Sequence, residues 1–265
     1  MLILNTRTPW RRRPSGLVEI DRSSHQANGL LALWSATPQG FYTDMATHRT
    51  STTATNVVTA CPLGGYAVNV AAANATNCGA RTDLSAVSAI TLCAWVGEIT
   101  ASGSDTRIVQ VGDKGTSPFV RYALEWGGSS FRVETNDGAS AVSTASGLGA
   151  IVWENWHHAC AVISSVERVV YVNGVKGTSG AGVTTATTTD DCSIGYSTAF
   201  TNYFPGKIAD VRIYNRALSS AEIYALYDPS SRWSVYTPVV NRTYMFVGSG
   251  GGGGGTRRLS AGIVG

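Results

Sequence analysis

The sequence predicts an all-β fold: a double-sheet jelly-roll sandwich with one short C-terminal helix and an extended arm at each terminus. Three observations predict it. Short apolar runs recur along the 265 residues at the spacing of strands in such a sandwich. Asn173-Gly174 stands among alternating runs, and this dipeptide suits a type I′ hairpin turn because both residues tolerate positive φ. Ser219 and Glu222 have the spacing of a capping box ahead of Ile223, which starts a short helix.

Taken in order, residues 1–16 form an extended arm punctuated by Pro9 and Pro14. Gly29-Leu-Leu-Ala-Leu-Trp34 is a compact apolar run, strand or short helix, that enters the sandwich. Residues 46–62 are Thr-rich and read as loop. Residues 66–70 alternate as a strand does, and Ile90, Leu92, Ala94 and Val96 bury one face of the next. Strands follow at 106–111, 119–126 and 130–134, with Gly127-Gly128 and Asp137-Gly138 as turns. Residues 156–163 and 167–172 are read as the Asn-Gly hairpin. Residues 193–196 and 207–214 lead to a helix over 221–227, which Pro229 stops. Ten to twelve strands are expected. The division is a basic arm over 1–28, a sandwich over 29–228 and a tail over 229–265, with flexible polyglycine at Gly250 to Gly255.

Net charge is +3, but its distribution says more. Residues 1–13 and 229–265 hold eight arginines and no acid, so the body between them carries −5. These ends also hold Trp10, Trp233, Tyr236, Tyr244 and Phe246, a poor composition for a free tail. Aromatics mixed with arginine are what docking segments use. Assembly contacts are therefore expected at Trp10, Arg11, Arg12, Arg13, Arg232, Trp233, Tyr236, Tyr244, Phe246, Arg257 and Arg258. The acidic body and the lack of a lysine-rich run argue against nucleic acid. No apolar run reaches the ~20 residues that span a bilayer, and Met1-Leu-Ile-Leu-Asn5 is too short for a secretory core. Five cysteines lack metal-ligand spacing. Cys93, Cys160 and Cys192 lie in apolar strand patterns and are read as reduced thiols acting as small hydrophobes, while Cys61 and Cys78 could meet across a loop. Reduced thiols without an export signal point to folding in cytoplasm.

A family resemblance rests on Trp156-His-His158, Tyr171-Val-Asn-Gly174, Ser193-Ile-Gly-Tyr196 and the run from Phe204 through Gly206-Lys-Ile-Ala-Asp-Val-Arg-Ile-Tyr-Asn-Arg-Ala-Leu-Ser219 to Glu222-Ile223. Over about 153–227, and more weakly back to 65–69, the chain resembles the laminin-G-like, concanavalin A-like lectin/glucanase superfamily. The resemblance implies a concanavalin A-like sandwich, a frame that hosts lectins, hydrolases and structural modules alike. It implies that a hydrolytic member would carry paired carboxylates as E-x-D-x-E on one strand, where alternate residues share a face. No such triplet exists: Glu134 to Asp137 has the wrong parity, and Asp190-Asp191 are adjacent. It also implies that calcium could bind rim oxygens, for which Asp113, Asp190 and Asp191 are weak candidates. Turn chemistry explains such residues equally well. No cofactor is otherwise expected.

His157-His158 fall on opposite faces of a strand, one beside a core tryptophan and one exposed, so they cannot share an ion. Trp126, Tyr196 and Tyr203 stand near strand ends and could stack on a sugar ring, whereas Trp95, Trp153 and Trp156 are assigned to the core. The expectation is a non-enzymatic protein, with no catalytic residue. Its arm–sandwich–tail plan resembles head-decoration or tail accessory proteins of tailed bacteriophage virions, oligomeric and assembled in host cytoplasm. Its expected partners are other virion proteins or copies of itself; the alternative is a carbohydrate-binding module of an adhesin or receptor-binding protein, with a cell-surface glycan as partner.

Overall fold

The computed structural model describes residues 18–38, 43–53, 57–70, 76–84, 87–100, 106–112, 122–136, 141–183, 191–196 and 203–239. In chain order the strands begin with β1 (Val18–Ile20), β2 (Leu30–Trp34), β3 (Thr52–Thr53), β4 (Val57–Ala60), β5 (Tyr66–Asn69) and β6 (Thr76–Ala80). Next come β7 (Ile90–Gly97), β8 (Thr106–Gly112), β9 (Tyr122–Trp126), β10 (Phe131–Asn136) and β11 (Ala141–Ala145). The rest are β12 (His157–Ile163), β13 (Glu167–Val172), β14 (Val175–Ala181), β15 (Asp191–Ile194) and β16 (Lys207–Tyr214), then helix α1 (Ser220–Tyr227) and β17 (Tyr236–Pro238). No helix among the described residues is long and apolar enough to cross a membrane.

Two antiparallel sheets make the sandwich, as the sequence predicts. One runs β11-β10-β9-β8-β15-β6-β3, and the other β14-β13-β12-β7-β16-β5-β4 with β2 also on β16. Between them lies the main core, in which Leu92, Ile108, Leu124, Trp126, Phe131 and Ile213 are fully buried. A second core occupies the other face of the eight-stranded sheet, where Cys93, Trp95, Cys160, Tyr171 and Tyr214 meet Ile223 and Leu226 of α1 and Trp233, Val235 and Tyr236 beyond it. Strands β7 and β12 are therefore buried on both faces, which explains why they read as continuous apolar runs.

The Asn-Gly turn forms, with φ of 52° at Asn173 and 79° at Gly174. It joins β13 to β14, however, and β12 to β13 is closed by Ser164-Ser-Val166. Strand β14, Val-Lys-Gly-Thr-Ser-Gly-Ala, lies at an exposed edge and shows no apolar alternation to read. Strands β3 and β4 likewise occupy the stretch expected as loop. The helix begins as predicted: Ser219 and Glu222 complete a reciprocal capping box. Arg216 adds a bidentate pair to Glu222 at 2.7 and 3.0 Å.

The boundary at residue 228 is corrected by the second core. Trp233 and Tyr236 are each 1 % exposed, and β17 pairs with β1 through Val18↔Pro238 and Ile20↔Tyr236. Arg232, expected as an assembly contact, places its guanidinium 5.3 Å from the Trp95 ring centroid. These three residues dock onto their own chain. Trp10, Arg11, Arg12, Arg13, Tyr244, Phe246, Arg257 and Arg258 lie outside the described residues.

A bulge in β16 ties this layer down. Asp210 adopts φ 48° and receives Arg212 Nε at 2.5 Å and the Tyr236 hydroxyl. Arg212 also donates to Gln26 Oε1 and to the Arg232 carbonyl, both at 2.9 Å. Gln26 in turn donates to the carbonyls of Ala225 and Ser231. The Asp-Val-Arg of the sequence signature is thus the clamp that holds the N-terminal segment, β16 and the C-terminal segment together.

The cysteines differ from expectation. Cys93 and Cys160 face one another across β7 and β12 and form a disulfide, so they are not reduced thiols. Cys78 and Cys192 both lie buried in the main core, and burial raises the Cys78 thiol pKa. Cys61 belongs to the second core, on the opposite side of the eight-stranded sheet from Cys78.

His157 and His158 face opposite sides as predicted, but both are buried. His157 Nε2 donates to the Val152 carbonyl at 2.8 Å, and Phe131 packs on its ring. His158 lies 5.1 Å from the Trp95 ring, and burial, assisted by Arg212, pushes its pKa down to about 3. The Arg216 pair holds Glu222 at about 2. Both folded values lie below the ordinary 6.5 and 4.5, so the unfolded chain binds more protons in acid and stability is lost as pH drops. Denaturation midpoints should begin to fall as pH drops below about 6.5 and continue through the folded values, about 3 for His158 and about 2 for Glu222. In His158→Gln the onset should move to about 4.5, where the carboxylates begin to titrate. An unchanged onset would contradict this assignment.

Candidate functional site

The outer face of the seven-stranded sheet carries a connected cluster of charged side chains. On β10, Phe131, Val133 and Thr135 point into the sandwich, so Arg132, Glu134 and Asn136 point out. On β9 the inward residues are Tyr122, Leu124 and Trp126, which places Glu125 outward. Register sets Glu125 opposite Arg107 on one side and Arg132 on the other, and Glu134 opposite Ser143. A register shift after Arg107 turns this strand end without removing Arg107 from the outer row.

The geometry is closely tied. Arg107 donates through Nη1 to Glu125 Oε2 and through Nη2 to both oxygens of Glu134 at 3.1 Å. Ser143 Oγ donates to Glu125 Oε1 at 2.9 Å and lies 3.4 Å from Glu134 Oε2. Exposure is graded: the side chains of Arg107 and Glu125 are 3 % and 0 % exposed, Glu134 is 12 % exposed, and Ser143 is on the surface. Two carboxylates share one guanidinium, which compensates the burial of like charges. Gln110 and Ser193, register partners on β8 and β15, continue the polar row and are fully buried.

Past the end of β15, Tyr196 and Tyr203 are bridged and stacked, with centroids 5.9 Å apart and planes 17° off parallel, and Tyr203 packs against the main core. Both are half-buried. Ser193 Oγ donates to the Tyr196 carbonyl at 2.9 Å and ties this pair to the end of β15. Trp126, the third sugar-stacking candidate, is corrected: it is 0 % exposed and packs edge-on against Phe131 and Trp153. Its parity with Leu124 sends it inward. Asp113 and Asp190 lie outside the described residues, and Asp191 opens β15.

Sequence reading missed the Arg107–Glu125–Glu134 cluster because it tested carboxylates for spacing along one strand. Here the acids come from neighbouring strands, and only register brings them together. A local signal did exist: one charged residue at the outward position of otherwise apolar runs, in Ile-Val flanked by Arg107 and in Leu124-Glu-Trp126.

The chain matches the model of a family described as the concanavalin A-like lectin/glucanases superfamily over residues 69–224. No curated protein sequence matches it. Among solved structures it resembles domain 4 of an extracellular arabinanase from Geobacillus stearothermophilus, in complex with arabinotriose, with TM-score 0.60 and 17 % identity over 75 % of this chain and 98 % of that one. It resembles the binding domain of Paraclostridial mosquitocidal protein 1 with TM-score 0.61 and 13 % identity, covering 76 % of this chain and 52 % of that one. A Trypanosoma rangeli sialidase gives TM-score 0.58 and 19 % identity over 75 % of this chain but 32 % of its own length. These likenesses show the fold. The chain spans about half of the toxin domain and a third of the sialidase.

Proposed function

The chain belongs to the concanavalin A-like lectin/glucanases superfamily, and from that premise we propose that it is a glycan-binding module that holds a neutral oligosaccharide on the outer face of β8 to β11 without cleaving it. The observation that carries this reading is the pre-ordered cluster of Arg107, Glu125, Glu134 and Ser143. Sugar hydroxyls donate to a carboxylate and exchange hydrogen bonds with a hydroxyl, the groups that Glu134 and Ser143 offer above the buried Arg107 and Glu125, and side chains already fixed by one another lose little entropy on binding. The Tyr196–Tyr203 stack supplies an adjacent aromatic surface. The charges of two acids are offset by Arg107 and Arg132, which suits an uncharged ligand. Support also comes from the arabinotriose, a neutral oligosaccharide, in complex with the arabinanase domain.

Hydrolysis fits the site less well. A glycosidase needs one carboxyl free to protonate the leaving oxygen and a second free to act as base or nucleophile, whereas both carboxylates here are already engaged by Arg107 and Ser143.

A glycan array on the full chain, followed by calorimetric titration of the best ligand, tests the reading. Glu134→Ala should weaken binding by roughly 10- to 100-fold, the loss expected of hydrogen bonds to a charged group. Tyr224→Ala, a substitution at a 55 % exposed ring on α1, should leave affinity unchanged. Absence of any glycan ligand, or equal loss in both variants, would contradict it.

One observation favours a second, compatible role in a virion. The β1–β17 pairing sets the roots of the two basic ends side by side, so both could fasten to one neighbouring subunit. Removing residues 1–17 and 240–265 while keeping the clasp should abolish incorporation into a particle and leave glycan affinity intact. Incorporation without both ends would count against it.

A further inference from the structure

Beneath the second core lies a group of side chains that the glycan reading does not use. His158 and Cys160 are two apart on β12 and share a face, and Cys93 stands directly across from Cys160 on β7. Their ligand atoms, two sulfurs and an imidazole nitrogen, all lie within 4.8 Å of one another and are buried. The two His158 ring nitrogens are 3.6 and 3.9 Å from Cys160 Sγ. Among the described residues the ring has no other hydrogen-bonding partner.

That is an odd environment for an imidazole. A neutral ring has one N–H to donate and one lone pair to satisfy, and a disulfide sulfur is at best a weak acceptor. It can receive the N–H but offers nothing to the lone pair. A buried polar atom left in that position calls for an explanation, and a bound ion is one of the ordinary ones. Two thiolates and an imidazole are the ligand set of soft d10 metals, and Cys2His leaves one position of a tetrahedral ion open.

We propose that Cys93, Cys160 and His158, once the disulfide is reduced, bind a single soft metal ion, Zn(II) or Cu(I), in the second core. The steps balance without hidden partners. A thiol or phosphine reductant gives two electrons to the Cys93–Cys160 bond, two protons are taken up, and the reductant is oxidised. Zn(II) then displaces both thiol protons, and His158 adds a nitrogen lone pair. Two thiolates cancel the charge of Zn(II), so the site buries no net charge apart from the Asp210–Arg212 pair that already compensates itself. Metal and disulfide are exclusive occupants of the same two sulfurs. The site therefore couples metal content to redox state, and it does so below the Trp233 layer, whose ring centroid is 6.3 Å from that of Trp95.

The full chain, reduced with a phosphine under anaerobic conditions and freed of excess reductant, is titrated with Zn(II) in one arm and Cu(I) in the other. Native mass spectrometry gives the stoichiometry, and Co(II) substitution reads thiolate ligation from its charge-transfer absorption. One equivalent is expected, in either or both arms, and the arms identify the ion. The oxidised protein should bind none, which provides a folded control. Cys93→Ser should abolish the charge-transfer band, and His158→Gln should weaken binding at least about 10-fold. Cys78→Ser, which alters a thiol of the main core instead, should change nothing. Failure of the reduced, folded protein to retain metal would overturn the proposal, as would binding by the oxidised form or binding indifferent to Cys93→Ser.

Discussion

Arg212→Ala is expected to remove about 3–5 kcal/mol of folding stability, the cost of breaking a buried ion pair by deleting one partner. Domain stabilities are typically only about 5–15 kcal/mol, so the loss is a large share of the whole. The size follows from what stays behind. Asp210 is 2 % exposed and would keep only the Tyr236 hydroxyl. Gln26 Oε1 and the Arg232 carbonyl would each lose a donor. Arg212→Lys should recover little, because one ammonium cannot reach acceptors that a planar fork contacts in three directions. Lys176→Ala provides the contrast. Its pair with Glu167 is 44 % and 30 % exposed, and such surface pairs contribute about 1 kcal/mol or less. Urea denaturation of the three variants should show this order, and an Arg212→Ala midpoint within about 1 kcal/mol of the parent would contradict the clamp.

Ending the chain after Asp228 should leave no cooperatively folded domain, whereas ending it after Val239 should leave melting unchanged. The eleven-residue interval holds Trp233, Val235 and Tyr236, all at most 1 % exposed. Trp→Ala in a core alone costs about 3–5 kcal/mol. The shorter piece also loses β17, so β1 has no partner, and it bares Trp95, Tyr214 and Leu226 to water. Large apolar patches of this kind promote association. Thermal circular dichroism with dye binding separates the outcomes: a sharp transition in the 1–239 piece, and dye binding with none in the 1–228 piece. A sharp, unshifted transition in both would show that the second core is dispensable.

The same interval shows why sequence reading divided the chain wrongly. Arg232-Trp233 and Tyr236 have the composition of a docking segment, and they do dock. Composition does not say whether the receiving surface belongs to another chain or to strand β16, more than twenty residues earlier. What was legible was local: the turn at Asn173-Gly174, the cap at Ser219 and Glu222, and the unbroken apolar runs of β7 and β12. Strand β14 was not legible, because an edge strand paired on one side needs no apolar alternation. Trp126 was legible in principle, since it shares parity with Leu124, yet its place near a strand end suggested exposure. The candidate site was almost invisible. Glu125 meets Glu134 and Arg107 only through cross-strand register, which no spacing along one strand can reveal.

The central claim, that the outer face of β8 to β11 receives a sugar, is tested most directly by mapping backbone amide shifts on isotope-labelled full chain during titration with the array's best neutral oligosaccharide. Saturable shifts should concentrate on residues 132–136, 142–145 and 193–196, and require roughly 10- to 100-fold more ligand in Glu134→Ala. Saturable shifts confined instead to α1 and the β13–β14 hairpin would place the ligand elsewhere and contradict the assignment.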